Sequence, residues 1–238
     1  RREKLGNLEF KDTSYRYPEA DLDTLRGINL KINEGEKVAI LGRNGSGKST
    51  LMKLASGLFK ATDGLVLYDG VDIRQLHTKD LSRSVGIVLQ DVQLFSGTVR
   101  DNITMGREDI SQENLVEAGK LSGLDEFISK IPGGYDLQLL DGGKGLSGGQ
   151  RQSIALARAI VHKPSHFILD EPTSAMDMNA ENLFINQVGS ILKSSTMLIV
   201  THRMPLLNLV DRIIVMNEGQ IVEDGPKDEI IQKLNQPR

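Results

Sequence analysis

The chain has 238 residues, with 29 Lys plus Arg against 32 Asp plus Glu and a formal net charge of −3, so it offers no positive field for gripping a phosphodiester backbone and is not read as a nucleic-acid binder. At 39% hydrophobic and 26% charged, it has the composition of a globular chain with a real core, in one large domain or one domain with an inserted part. The count of zero Cys excludes a disulfide framework and a thiolate metal site.

The N-terminal Arg1-Arg2-Glu3-Lys4 has no apolar run behind it and is expected to be a basic stub rather than a signal peptide. Leu8–Tyr15 and Leu25–Ile32 alternate as antiparallel strands do, and the turn Asn33-Glu34-Gly35-Glu36 follows them. Lys37–Leu41 is instead a compact apolar run ended by Gly42, the pattern of a strand buried on both faces. From Gly47 the pattern turns helical, with Leu51, Leu54, Ala55 and Leu58 on one face and a stop near Gly57. Val85–Leu89 is the next strand, and 91–145 reads as short helical pieces broken by glycines. Then come a helix over 148–161, strand His166–Leu169, helix Asn179–Leu192, strand Thr196–Val200 and a final pair at Ile213–Met216 and Gln220–Glu223. Strands alternating with helices predict a parallel sheet covered on both sides. No apolar stretch approaches the roughly 20 residues that cross a bilayer; Met197–Val200 is among the longest.

Gly42-Arg43-Asn44-Gly45-Ser46-Gly47-Lys48-Ser49-Thr50 fits G-x-x-x-x-G-K-[ST] between a predicted strand and a predicted helix. Glycines let the backbone curl so that successive N–H groups converge, and the helix N-terminus adds partial positive charge where a phosphate would lie. Lys48 is then expected on the β- and γ-phosphates and the Ser49 hydroxyl on Mg²⁺. Strand His166–Leu169 ends in Asp170-Glu171, at the strand end where ligands sit in open α/β sheets. Asp170 is assigned to Mg²⁺ and Glu171 to the water that attacks the γ-phosphate. Thr201-His202-Arg203 ends another strand at the same edge, which puts His202 within reach of the γ-phosphate.

Leu146-Ser147-Gly148-Gly149-Gln150 opens the helix after the inserted stretch, and with the phosphate loop and Asp170-Glu171 it resembles the nucleotide-binding domain of an ABC transporter over nearly the whole chain. The resemblance implies a P-loop NTPase (RecA-like) α/β core with a mainly parallel sheet and an antiparallel β part, over 5–90 and 146–238. It places a helical subdomain at about 91–145, extending into the signature helix. It also implies that Tyr17 stacks on adenine, that Gln90 in the Q-loop serves Mg²⁺ and catalysis, that Ser174-Ala175-Met176-Asp177 is the D-loop, and that His202 is the switch histidine. Ser147 and its two glycines make a second anion site at a helix N-terminus, and Ser also suits a simple N-cap. In the family two such domains dock head to tail, so Ser147, Gly149 and Gln150 of one copy would cover ATP held by Lys48 of the other, an isologous pairing.

The segment Gln90–Ile103 with Thr201-His202-Arg203 is similar to exporter domains fused to their own transmembrane helices, most of all bacterial type I secretion exporters of toxins and adhesins. The implied place is the cytoplasmic face of the inner membrane, with the transmembrane domain before Arg1, a protein as cargo, and ATP and Mg²⁺ as ligands. A lipid, drug or peptide exporter is the alternative. Asp141 stands where exporters carry Glu, Met176 where Leu is usual, and Leu89 where Pro is frequent. Chromosome and ribosome ATPases, importer subunits and small-molecule P-loop kinases fit less well: only 122 residues (170 − 48) separate Lys48 from Asp170, one motif set is present, and nothing beyond the phosphate loop suggests a kinase.

Overall fold

The computed structural model describes residues 4–235, so Arg1–Glu3 of the basic stub lie outside the described residues. Strands β1 (Leu8–Tyr15), β2 (Leu25–Ile32) and β3 (Lys37–Gly42) lead into α1 (Lys48–Ala55). Next come β4 (Asp63–Tyr68), β5 (Val71–Asp72), α2 (Thr78–Ser84) and β6 (Val85–Val88). The following stretch holds β7 (Gly97–Thr98), α3 (Val99–Thr104), α4 (Gln112–Leu121), α5 (Asp125–Ile128) and β8 (Gln138–Leu139). Helix α6 (Gly148–Ile160), β9 (His166–Asp170), α7 (Met178–Leu192), β10 (Thr196–Val200), β11 (Arg212–Asn217), β12 (Gln220–Pro226) and α8 (Lys227–Leu234) complete the order.

The larger sheet runs β12-β11-β3-β10-β9-β6; its inner pairs are parallel, and only β12 is antiparallel to its neighbour. Because side chains alternate across a strand, each apolar run serves two cores. Phe167, Leu169, Met197, Ile199 and Ile213 face the cluster formed with α3, α4, α6 and α7. Ile168, Leu198, Val200, Val38, Ile40 and Ile214 face the cluster formed with Leu51, Met52, Leu54 and Ala55 of α1. That two-sided burial is why these strands read as continuous apolar runs and not as alternations. The second core is closed by the antiparallel sheet β2-β1-β4-β5, in which Leu8, Phe10, Leu25, Ile28, Ile32 and Tyr68 are buried.

Register sets the position of the site. Val200 of β10 lies opposite Ile40 of β3 and Asp170 of β9, so the loops after these three strands leave from one edge. One sequence expectation is corrected: α1 ends at Ala55, the chain turns at Gly57, and Leu58 is 53% exposed, off the helix face. Strand β4 and helices α2 and α8 were not anticipated.

Candidate active site

Gly47 is the N-cap of α1 with φ 99°, left-handed backbone that a residue with a Cβ rarely takes. A Cβ there would also meet Leu25 Cδ2 at 2.7 Å, so this glycine serves both the turn and the packing of β2 beneath it. The turn aims the start of α1 across the sheet edge, and Lys48 Nζ folds back to donate to the carbonyls of Gly42 at 2.7 Å and Arg43 at 2.9 Å. Burial pushes the Lys48 ammonium below its ordinary pKa, with Asp170 and Glu171 pulling the other way. Gly42 and Ser46 underlie the loop: Ser46 is buried, and its carbonyl accepts from Gly219 N–H.

Asn44, Gly45, Gly47, Lys48, Ser49, Thr50, Gln90, Asp170, Glu171 and His202 line one cleft of about 280 Å³, together with Thr24 and Val200. Asp170 is buried, its Oδ1 has no hydrogen-bond partner, and burial raises its carboxyl pKa against the pull of the neighbouring Ser49 hydroxyl and Lys48. Glu171 sits in left-handed backbone at φ 49°, and burial raises its pKa too, opposed first by His202. The His202 backbone N–H donates to Glu171 Oε2 at 3.4 Å, and His202 Nε2 lies 3.2 Å from Oε1. The second contact is a close approach without a hydrogen bond, and Oε1 has no hydrogen-bond partner.

This donor set suits Mg²⁺, which takes one or two carboxylates, a hydroxyl and substrate phosphates in preference to an all-protein cage. Among the described residues no group of three or more His, Asp or Glu is arranged to hold a metal ion by itself, whereas the unpartnered Asp170 Oδ1 beside Ser49 is a half-built oxygen site.

Besides Gly42 and Ser46 beneath the loop, two further sets of expected residues lie outside the cleft. Tyr17 rests edge-on against Tyr15 and Phe59, at centroid distances of 5.0 and 5.7 Å, with its hydroxyl 3.0 Å from Thr50 Oγ1, so it joins the site through Thr50. Ser147, Gly149 and Gln150 belong to α6: the Ser147 hydroxyl accepts from Gln150 N–H, and the Gln150 side chain accepts from Ser147 N–H, a reciprocal cap. Ser147 is exposed.

Residues 25–174 match the family described as ABC transporter. The chain belongs to that family. Over 226 residues it is 42% identical to the cyclolysin secretion/processing ATP-binding protein CyaB of Bordetella pertussis, covering 95% of this chain and 32% of that protein. It is 43% identical over 231 residues to the toxin RTX-I translocation ATP-binding protein of Actinobacillus pleuropneumoniae, covering 97% of this chain and 32% of that one. A solved bacterial Atm1-family ABC exporter with ATP bound superposes with a TM-score of 0.88 at 31% identity, over 97% of this chain and 40% of the other. The chain therefore spans about a third of the length of the first two relatives.

Within this ABC transporter fold, the structure brings forward residues that motif reading passed over. Thr24 lines the cleft from the turn before β2. Gln152, 2% exposed, occupies a core position of α6 in line with Leu156 and Ala159, and a polar residue on an apolar helix face was the available signal. Arg203 donates to the carbonyls of Ser174 and Met176 and pairs with buried Glu181 at 3.4 Å.

Proposed function

We propose that two copies of this ABC transporter chain close head to tail around two Mg·ATP, and that hydrolysis reopens the pair and drives export through membrane-spanning helices. The observation that carries the reading is the convergence of Lys48, Ser49, Asp170, Glu171 and His202 on one cleft, while the α6 tip bearing Ser147 is exposed and can meet another copy's cleft. In this reading the loop amides of 43–48 and the Lys48 ammonium hold the phosphates. Ser49 and Asp170 would hold Mg²⁺, with Gln90 at the rim of the cleft, and the metal would supply positive charge against the phosphates. Glu171, with its pKa raised by burial, accepts the proton of the attacking water, and His202 donates to a γ-phosphate oxygen. Ser147, Gly149 and Gln150 of the second copy cap that phosphate, and Tyr17 offers its ring to the adenine. The division into a core over 5–90 and 146–238 with a helical part at about 91–145 belongs to the same proposal.

Glu171→Gln tests it. ATP binding is retained, phosphate release falls by about 10²- to 10⁴-fold, the usual contribution of a positioned base, and light scattering finds a dimer with ATP. Monomer alone under those conditions refutes the head-to-tail pair.

For the cargo we propose a protein, in the manner of type I secretion, at the cytoplasmic face of a bacterial inner membrane. Two relatives named for cyclolysin secretion and RTX-I translocation support this. A drug or other small-molecule exporter is the second reading, favoured by 39% identity over 231 residues to the putative multidrug export ATP-binding/permease protein YgaD of Bacillus subtilis. A gene deletion that removes one protein from the culture medium supports the first; unchanged secretion with drug retained in the cells supports the second. Either requires apolar spans encoded with this chain, and full-length sequence without them refutes both.

A further inference from the structure

One buried amide joins the two functional ends of the fold. Gln152 Nε2 donates to the Glu171 carbonyl at 3.0 Å and to Ser174 Oγ at 3.3 Å, and Gln152 Oε1 accepts from the Ala175 backbone N–H at 2.9 Å. A carbonyl only accepts and an N–H only donates, so these partners fix the amide orientation. Glu171 is held in left-handed backbone, which persists in a residue with a side chain only where neighbours over-determine it. Its N–H is held by the Val200 carbonyl and its carboxylate by His202 N–H; the grip on its carbonyl comes from α6.

The same amide fixes Ala175, on which the tip of α6 rests. A Cβ on Gly148 would lie 3.2 Å from Ala175 Cβ, and one on Gly149 would lie 3.1 Å from the Ala175 carbonyl oxygen. The far side of the loop is tied as well: Arg203 donates to the Ser174 and Met176 carbonyls at 3.1 and 3.3 Å, and Glu181, its ion partner, accepts the Thr173 hydroxyl at 2.6 Å. A loop gripped from both sides transmits displacement, where a slack one would absorb it. The tip of α6 is thus in contact with Ala175, and through Gln152 with the Glu171 carbonyl.

We infer that Gln152 is a positioning residue that links the Ser147 end of α6 to Glu171, so that a γ-phosphate seated against Ser147 at one site of the dimer sets the aim of Glu171 at the other. This rests on the ATP-bridged pair proposed above. Hydrolysis at each site then depends on nucleotide at both, although no ligand touches Gln152.

The test uses Gln152→Ala, which removes all three bonds, and Gln152→Glu, which keeps the bond to Ala175 and the side-chain volume but turns an oxygen on the Glu171 carbonyl. Both are expected to lower kcat on the order of 10²-fold, the cost of misplacing a reacting group by about 1 Å, with ATP affinity by calorimetry unchanged. In the Glu171→Gln background both still dimerise with ATP. Adding Ser147→Ala to Gln152→Ala lowers kcat by less than the product of the two single effects, the signature of shared action. Normal kcat in a Gln152 variant that still dimerises overturns the link, as do Ser147 and Gln152 effects that multiply. A kcat loss matched by an equal loss of ATP affinity also overturns it. Failure of Glu171→Gln alone to dimerise sinks the pair itself and is distinguishable from these outcomes.

Discussion

His166 begins the strand that ends in Asp170, and its ring ties residues before β1 to the parallel sheet. Nε2 lies 2.7 Å from the Gly6 carbonyl, which can only accept, so Nε2 carries the proton and Nδ1 faces Ser165 Oγ at 3.0 Å. The ring is 1% exposed and meets Tyr68 edge-on at 5.1 Å. Burial depresses its pKa from 6.5 to about 4. A depressed folded pKa favours the neutral ring, so the contribution to stability is complete above pH 6.5 and is lost as pH falls through 4. The difference of 2.5 units (6.5 − 4) at about 1.4 kcal/mol per unit is roughly 3 kcal/mol. Asp170 and Glu171 act in the opposite sense, because raised carboxyl pKa values contribute stability that is lost as pH rises. His162, also depressed to about 4, acts in the same sense as His166. The measurement is therefore a difference: urea unfolding of the wild type and of His166→Gln between pH 7 and 4, in which the other groups cancel. Wild type should lose roughly 3 kcal/mol more than the variant over that range. Parallel curves refute the reasoning.

Two further substitutions probe the site. Lys48→Ala removes three bonds of the ammonium, to the Gly42 and Arg43 carbonyls and the Ser46 hydroxyl, and the two to carbonyls are expected to pass to phosphate. At about 1.5 kcal/mol each, ATP affinity falls on the order of 10²-fold, and an unchanged calorimetric Kd contradicts the cradle. Gly149→Ala drives a methyl to 3.1 Å from the Ala175 carbonyl, an overpacking cost of about 1–3 kcal/mol; an unmoved denaturation midpoint means the loop yields freely.

The phosphate loop, the acid pair and the strand endings were legible because each is local: a compact apolar run, a glycine turn and a charged residue within a few positions. The parallel sheet followed from strands alternating with helices, and its register sets Ile40, Val200 and Asp170 opposite one another, two residues before Gly42. β4 stayed hidden because Asp63-Gly64 reads as a turn, and its partner in β1 lies far off in sequence. Leu58 misled because periodicity does not mark where a helix stops; α1 closes at Ala55, before the pattern runs out. Gln152 and Arg203 escaped because their roles are set by backbone groups of a distant loop, and a carbonyl carries no side-chain signature.

The site's electrostatics explain why these local signals belong together. Burial raises both carboxyls and lowers the lysine ammonium, so each of the three is charged against its surroundings, and an oxygen of each acid is without a hydrogen-bond partner. Such an arrangement is costly as pure scaffold, since burying ionisable groups without full pairing weakens a fold. A polyanion with a divalent cation would supply what is missing on both sides, the cation to the acids and the anion to the ammonium and loop amides. Whatever stability the fold gives up there returns on binding, by about 2.7 kcal/mol when ligand stands at 100 times its Kd. Nucleotide binding would thereby become a folding term for this edge of the sheet, which also carries the left-handed Glu171.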